Sequence, residues 1–284
     1  MLWEGRRQSD NVDDRRGMSG GQVALGGGLI GVIFLLLNFF LTGDTSMMEN
    51  LPTQGPGQTT QLSPQDQAAE DRRANFVKVV LADTEDVWNK IFSEHGERYQ
   101  APRLVLFRDY TQSACGTASS GTGPFYCPSD NMVYIDLSFA DQLERQFGAT
   151  GEFALAYVLA HEVGHHIQYL MGTTDKMEQL RRQVNQNTYN RYSVALELQA
   201  DFYAGVWARY NQNMKNVIKP QDLEQAMNAA AAVGDDNIMK RTQGYVVPEG
   251  FTHGTSQQRM YWFKKGYETG DISQGNTFNQ INNL

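Results

Sequence analysis

The chain has 284 residues, enough for one good-sized domain with appendages. Its net charge of −8 and isoelectric point near 5.2 argue against nucleic-acid binding, which calls for a basic stripe. Five histidines and two cysteines are few, so their positions carry information.

Residues 1–21, dominated by Ser, Gly, Asp and Arg, read as a disordered N-terminus. Residues 23–41 hold no charge and one amide, Asn38, and are long enough to cross a hydrocarbon core as a helix. A cleaved signal peptide is the rival. The long, mixed-charge region ahead of the run and the lack of an A-x-A site after Leu41 argue against it. The expectation is a single transmembrane helix over residues 22–42. Arg6, Arg7, Arg15 and Arg16 precede it, and no Lys or Arg follows until Arg72. The positive-inside rule then places the N-terminus in the cytoplasm and the rest on the periplasmic side of the inner membrane. Gly27 and Gly31 form a small-xxx-small pair suited to a homodimer through that helix. Residues 43–62 read as a flexible Thr/Gln/Pro/Gly linker.

The globular part is expected over residues 63–274. Ser63 is an N-cap candidate with Pro64 as the first helical residue. Apolar periodicity runs through Phe76, Val79 and Val80; residues 83–86 offer a second cap before Val87, Trp88, Ile91 and Phe92, so two helices are expected. Residues 103–107 and 131–137 are strand candidates. Between them, residues 113–130 read as loop and contain Cys115 and Cys127, a disulfide pair if the domain lies outside the cytoplasm. Helices follow over 151–171, 192–210 and 221–233, with a mixed helix and turn at 173–190. Thr255-x-x-Gln258 is a capping box for a further helix. Residues 275–284 are Asn-rich and expected to fray. Helices outnumber strands, an α+β pattern in which a small sheet flanks a mainly helical body.

Within the apolar run 155–170 stands H-E-x-x-H: His161, Glu162 and His165. On a helix the two histidines are i and i+4, so both imidazoles reach one metal ion. Glu162 is about 100° further round, placed to act as general base on a water at that metal. Two imidazoles and a carboxylate in so apolar a helix demand a partner or a metal. Glu197 and Asp201 form a second i, i+4 pair on an equally apolar helix. E-x-x-x-D after H-E-x-x-H resembles the glu-zincin arrangement, which implies Glu197 as third ligand. It implies that Asp201 takes the far N–H of His161 or His165. His166 points off the metal face and reads as structural, and Gly164 would let another element come close to the helix. His253, just ahead of the capping box, is a candidate donor to a developing oxyanion or a local turn residue. Arg259 could pair with a buried carboxylate.

Five segments together resemble the bacterial neutral zinc metallopeptidases anchored by an N-terminal membrane helix. These are LADTEDVWNKIF, Cys115-Gly with GPFYCPSD and VYIDL, LAHEVGHHIQ, ELQADFYAGVWA, and FTHGTSQQRMYWFKKG, in that order across residues 75–267. The resemblance implies a zincin-like fold, bound Zn²⁺ and hydrolysis of peptide or protein substrates. In that reading His161, His165 and Glu197 hold the metal and Glu162 is the general base. The strand Met132–Asp136 would be the edge to which an extended peptide adds. The competing readings are a non-catalytic, membrane-tethered scaffold with a structural metal site, and a metal-dependent hydrolase of another bond such as an ester.

Overall fold

The computed structural model describes residues 1–17 and 63–283. The expected span at 22–42, with Gly27 and Gly31, and the linker at 43–62 lie outside the described residues.

Helix α1, Pro64–Glu94, starts as expected: the Ser63 side chain accepts from the Asp66 amide, with Pro64 at the first helical position. It then runs unbroken for 31 residues instead of dividing in two. Of the residues that read as a second cap, Asp83, Thr84 and Glu85 are buried mid-helix, and the two carboxylates are satisfied from elsewhere. Asp83 takes Arg6, Lys215 Nζ at 2.7 Å and Asn211 Nδ2 at 3.1 Å. Glu85 takes Ser9 Oγ at 2.5 Å, Asn11 Nδ2 at 2.8 Å and Arg7 Nη1 at 3.0 Å. Buried carboxylates with several donors do not compete for the helix backbone.

Those partners show that the N-terminus is not disordered over its described length. Trp3 is buried against Phe76, their ring centroids 5.5 Å apart, and donates to Glu152 Oε2 at 3.0 Å. Strand β1, Val12–Asp14, pairs in parallel with β2, Arg103–Phe107, with Val12 opposite Leu104. Residues 1–17 and the body from residue 63 therefore share one sheet and one core. A single crossing between them would separate them by about 30 Å of hydrocarbon. Among the described residues no helix is long and apolar enough to cross a membrane. The single-pass placement, N-terminus cytoplasmic and domain periplasmic, is overturned by these two findings.

The hairpin β3 (Tyr110–Ser113) and β4 (Gly116–Ser119) and the short strand β5 (Phe125–Cys127) occupy the segment expected to be loop. With β6, Met132–Asp136, the main sheet has the order β1-β2-β6-β5, and β5 alone is antiparallel to its neighbour. Thus β6 lies inside the sheet, not at its edge, and among the described residues the edge on that side is β5. Three residues among Gly, Ser and Pro are too few to show alternation in sequence. Cys127 in β5 is disulfide-bonded to Cys115 in the β3–β4 turn, their Cα atoms 5.8 Å apart.

The remaining helices are α2 (Phe139–Phe147), α3 (Glu152–Leu170), α4 (Thr173–Arg181), α5 (Gln186–Lys215), α6 (Pro220–Ala232), α7 (Asp235–Gln243) and α8 (Ser256–Thr269). Helices α5 and α8 touch backbone to backbone. A Cβ at Gly205 would lie 2.0 Å from Phe263 O, and one at Gly266 would lie 2.1 Å from Phe202 O. The tail expected to fray is pinned at its start: Gln199 Nε2 donates to Gly275 O at 2.8 Å and Thr277 Oγ1 to Ala195 O at 2.5 Å.

Candidate metal centre

Helix α3 is apolar nearly all round, which buries it from Phe153 to Gly164. Helix α5 begins at an Asn185 cap, whose side chain accepts from Thr188 N at 2.9 Å, and is buried through its middle. The two meet at Gly164, where an added Cβ would lie 2.9 Å from Ala200 O. That close approach puts the two i, i+4 pairs face to face.

Ligand-type atoms of His161, His165 and Glu197 all lie within 4.8 Å of one another. His161 Nε2 is 3.1 Å from Glu197 Oε2, and His165 Nε2 is 3.5 Å from Glu197 Oε1. The far nitrogens are also held. His161 Nδ1 lies 2.7 Å from Asp201 Oδ1, and His165 Nδ1 lies 2.8 Å from Gln168 Oε1. A carboxylate or amide oxygen only accepts, so both Nδ1 atoms carry protons. In the neutral rings both Nε2 lone pairs then face the Glu197 carboxylate, an arrangement that a cation at its centre would satisfy.

Electrostatics point the same way. Burial disfavours the charged form of His161, but Asp201 and Glu197 outweigh it and raise its pKa to about 10. His165 is raised against burial by Glu197. Glu197 itself is held well below the ordinary carboxylate range, burial notwithstanding, by His165, His253 and His161. A site this eager for positive charge, made of two imidazoles and one carboxylate, has the donor set of a three-ligand zinc site.

Asp201 is fully buried and carries more than the histidine. Arg259, at the start of α8, binds it through Nε at 2.8 Å and Nη2 at 3.0 Å, and Tyr157 Oη donates to the same carboxylate. Arg259 thus pairs with a buried carboxylate, as expected. Glu162 follows His161 on α3, 8% exposed, close enough to raise the pKa of His165 electrostatically.

His253 sits where α7 and α8 converge. Asp235, the first residue of α7, accepts from the backbone amides of Thr252 (2.7 Å), His253 (2.6 Å) and Gly254 (3.0 Å). Its other oxygen lies 3.1 Å from His253 Nδ1. The ring is 45% exposed and feels Glu197: partial desolvation lowers its pKa, but Glu197 and Asp235 raise it further. The Thr255–Gln258 capping box forms, with reciprocal bonds of 2.8 and 3.1 Å.

His166 faces away from the cluster and bridges Tyr126 Oη at 3.0 Å and Gln100 O at 2.6 Å. Burial lowers its pKa. Sequence reasoning missed Gln168, Tyr157 and Asp235. Gln168 is three residues beyond His165 and Tyr157 four before His161, so helical spacing was the available signal for both. Asp235 had none.

The chain matches the family described as "Putative neutral zinc metallopeptidase" over residues 1–278, and it belongs to that family. It is 48% identical over 288 aligned positions to Uncharacterized protein YpfJ of Escherichia coli K12, covering 98% of this chain and 99% of the relative. It is 43% identical over 190 positions to Uncharacterized protein Rv2575 of Mycobacterium tuberculosis H37Rv, 63% of each chain. No solved structure matches it.

Proposed function

We propose that this protein is a zinc-dependent peptidase whose metal is held by His161, His165 and Glu197. The carrying observation is the convergence of two oriented Nε2 atoms and one carboxylate within 4.8 Å. Bound there, zinc would acidify a water and polarise the scissile carbonyl. Asp201 and Gln168 hold the two imidazoles in the tautomer that leaves Nε2 free for the metal. Glu162 takes a proton from the attacking water and delivers it to the leaving nitrogen. His253 donates from Nε2 to the carbonyl oxygen as it turns negative, because Asp235 occupies its Nδ1.

The substrate lies extended against β5, which among the described residues pairs only with β6 and sits beside α3. Substrate identity beyond an extended peptide is set by side-chain contacts on that edge.

The test uses the full chain, because residues 1–17 belong to the fold. Zinc-loaded protein is offered an unfolded polypeptide and, separately, a simple ester. Peptide fragments that vanish with a chelator and return with zinc support the reading. Ester cleavage without peptide cleavage replaces it by another hydrolase. Zinc bound tightly with neither product leaves the structural metal site.

A further inference from the structure

The residue after the second histidine of the motif has both ring nitrogens engaged, and neither engages the metal cluster. His166 is 2% exposed. Its Nε2 lies 2.6 Å from Gln100 O, a group that can only accept, so Nε2 carries the proton and Nδ1 is an acceptor. Among the described residues, the donor at Nδ1 is the Tyr126 hydroxyl, 3.0 Å away. Tyr126 Oη also donates to Asn131 Oδ1 at 3.0 Å, and Asn131, with a left-handed backbone (φ 58°), makes the turn from β5 to β6. The one hydroxyl proton of Tyr126 is thus shared between two acceptors, Asn131 Oδ1 and His166 Nδ1. The result is a chain of contacts centred on the Tyr126 hydroxyl, which faces Asn131 Oδ1 and His166 Nδ1, and continued by His166 Nε2–H to Gln100 O.

This chain joins four pieces: the middle residue of the edge strand, the turn that follows it, the helix that carries the metal ligands, and the segment with Gln100 that leads into β2. Aromatic contacts reinforce it, with Tyr126 ring centroids 5.3 Å from His166 and 6.3 Å from Tyr169. The disulfide at Cys127 ties the end of the same strand to the β3–β4 hairpin. A three-residue edge strand has little hydrogen bonding of its own with which to keep a fixed position.

Building on the peptidase reading, we propose that His166 is a positioning residue. Through Tyr126 it fixes the β5 edge to the helix that carries His161 and His165, and so the register in which an extended peptide adds to β5. It touches neither metal nor substrate. The scissile bond is presented correctly only while the strand and the helix move as one.

The direct test is Tyr126→Phe, which keeps the ring packing and removes only the hydroxyl, beside His166→Asn. Zinc content, KM and kcat are measured on the full-length protein with peptides of about four and about ten residues. The expected result for Tyr126→Phe is unchanged zinc stoichiometry, kcat within about twofold, and KM raised about three- to tenfold for the long peptide. The short peptide, which spans little of the edge, shifts less. His166→Asn raises the same KM by at least as much. Turnover by the wild type with KM unmoved in both variants overturns the positioning role and leaves the peptidase reading intact. Loss of zinc and kcat together, with no KM split, reduces His166 to a purely structural group. No peptide turnover by the wild type removes the peptidase reading, and this role falls with it.

Discussion

Gln168 Oε1 lies 2.8 Å from His165 Nδ1, and the same amide donates through Nε2 to Leu196 O at 2.6 Å. The Leu196 carbonyl directly precedes Glu197, so one side chain orients the second histidine and braces the strip of α5 that carries the carboxylate. Gln168→Ala should lower zinc affinity roughly 10–100-fold, the range for losing such a partner. Competition against a calibrated chelator reads the affinity, and unchanged far-ultraviolet dichroism shows the fold is kept. An affinity within about twofold of wild type would mean that Gln168 does not orient the ring.

Asp235 should matter through His253. Without metal, desolvation works against the His253 proton but Glu197 and Asp235 raise its pKa; with Glu197 on the metal, Asp235 is the carboxylate left to hold the proton. The protonated ring offers a donor at Nε2 while Nδ1 stays on Asp235. As pH rises through the His253 pKa the Nε2 proton is lost, so kcat should fall on the alkaline side. Asp235→Asn removes one of the charges that raise it, and the alkaline fall should move to lower pH with kcat reduced and zinc content unchanged. A pH profile superimposable on wild type would exclude His253 as an acidic donor.

Asp83 and Glu85 make the N-terminal segment part of the domain. Both are buried, and Arg6, Arg7, Ser9 and Asn11 supply most of their donors. Stripping a buried carboxylate of its partner costs about 3–5 kcal/mol. A fragment beginning at residue 63 should therefore fail to show cooperative thermal unfolding, and a synthetic peptide of residues 1–17 added in trans should restore it. A fragment that melts like the full chain would show the strap to be dispensable.

The Cys115–Cys127 bond closes a 12-residue separation. In the chain-entropy model a loop of this size contributes about 3 kcal/mol by restricting the unfolded chain. Replacing both cysteines by alanine should lower the urea midpoint correspondingly while zinc stoichiometry stays near one, since the hairpin is not among the ligands. Loss of zinc in the double variant would tie the disulfide to the metal site directly.

How much of this was legible beforehand depended on range. His161, His165, Glu197 and Asp201 could be read because helical spacing alone places each pair on one face, and burial makes unpaired charge there untenable. Gly164 could be read as a point of close approach, and it is where α3 meets Ala200. What was misread involved partners far away in sequence. Residues 83–86 look like a helix start until Arg6, Ser9 and Asn11 are known to lie against them. A polar, Arg-rich stretch looks disordered until its arginines are matched with buried carboxylates 70 or more residues away. Strand β5 is too short for alternation to show, so β6, the better-patterned strand, was taken for the edge.

The measurement that bears most directly on the central claim compares the full-length wild type with Glu162→Gln for zinc content and for cleavage of an unfolded polypeptide. The account predicts about one zinc per chain in both, since Glu162 is not a ligand, with cleavage by the wild type reduced at least about a hundredfold in the variant. Equal cleavage by both would contradict the role of Glu162, and no zinc in either would contradict the assignment of His161, His165 and Glu197 as ligands.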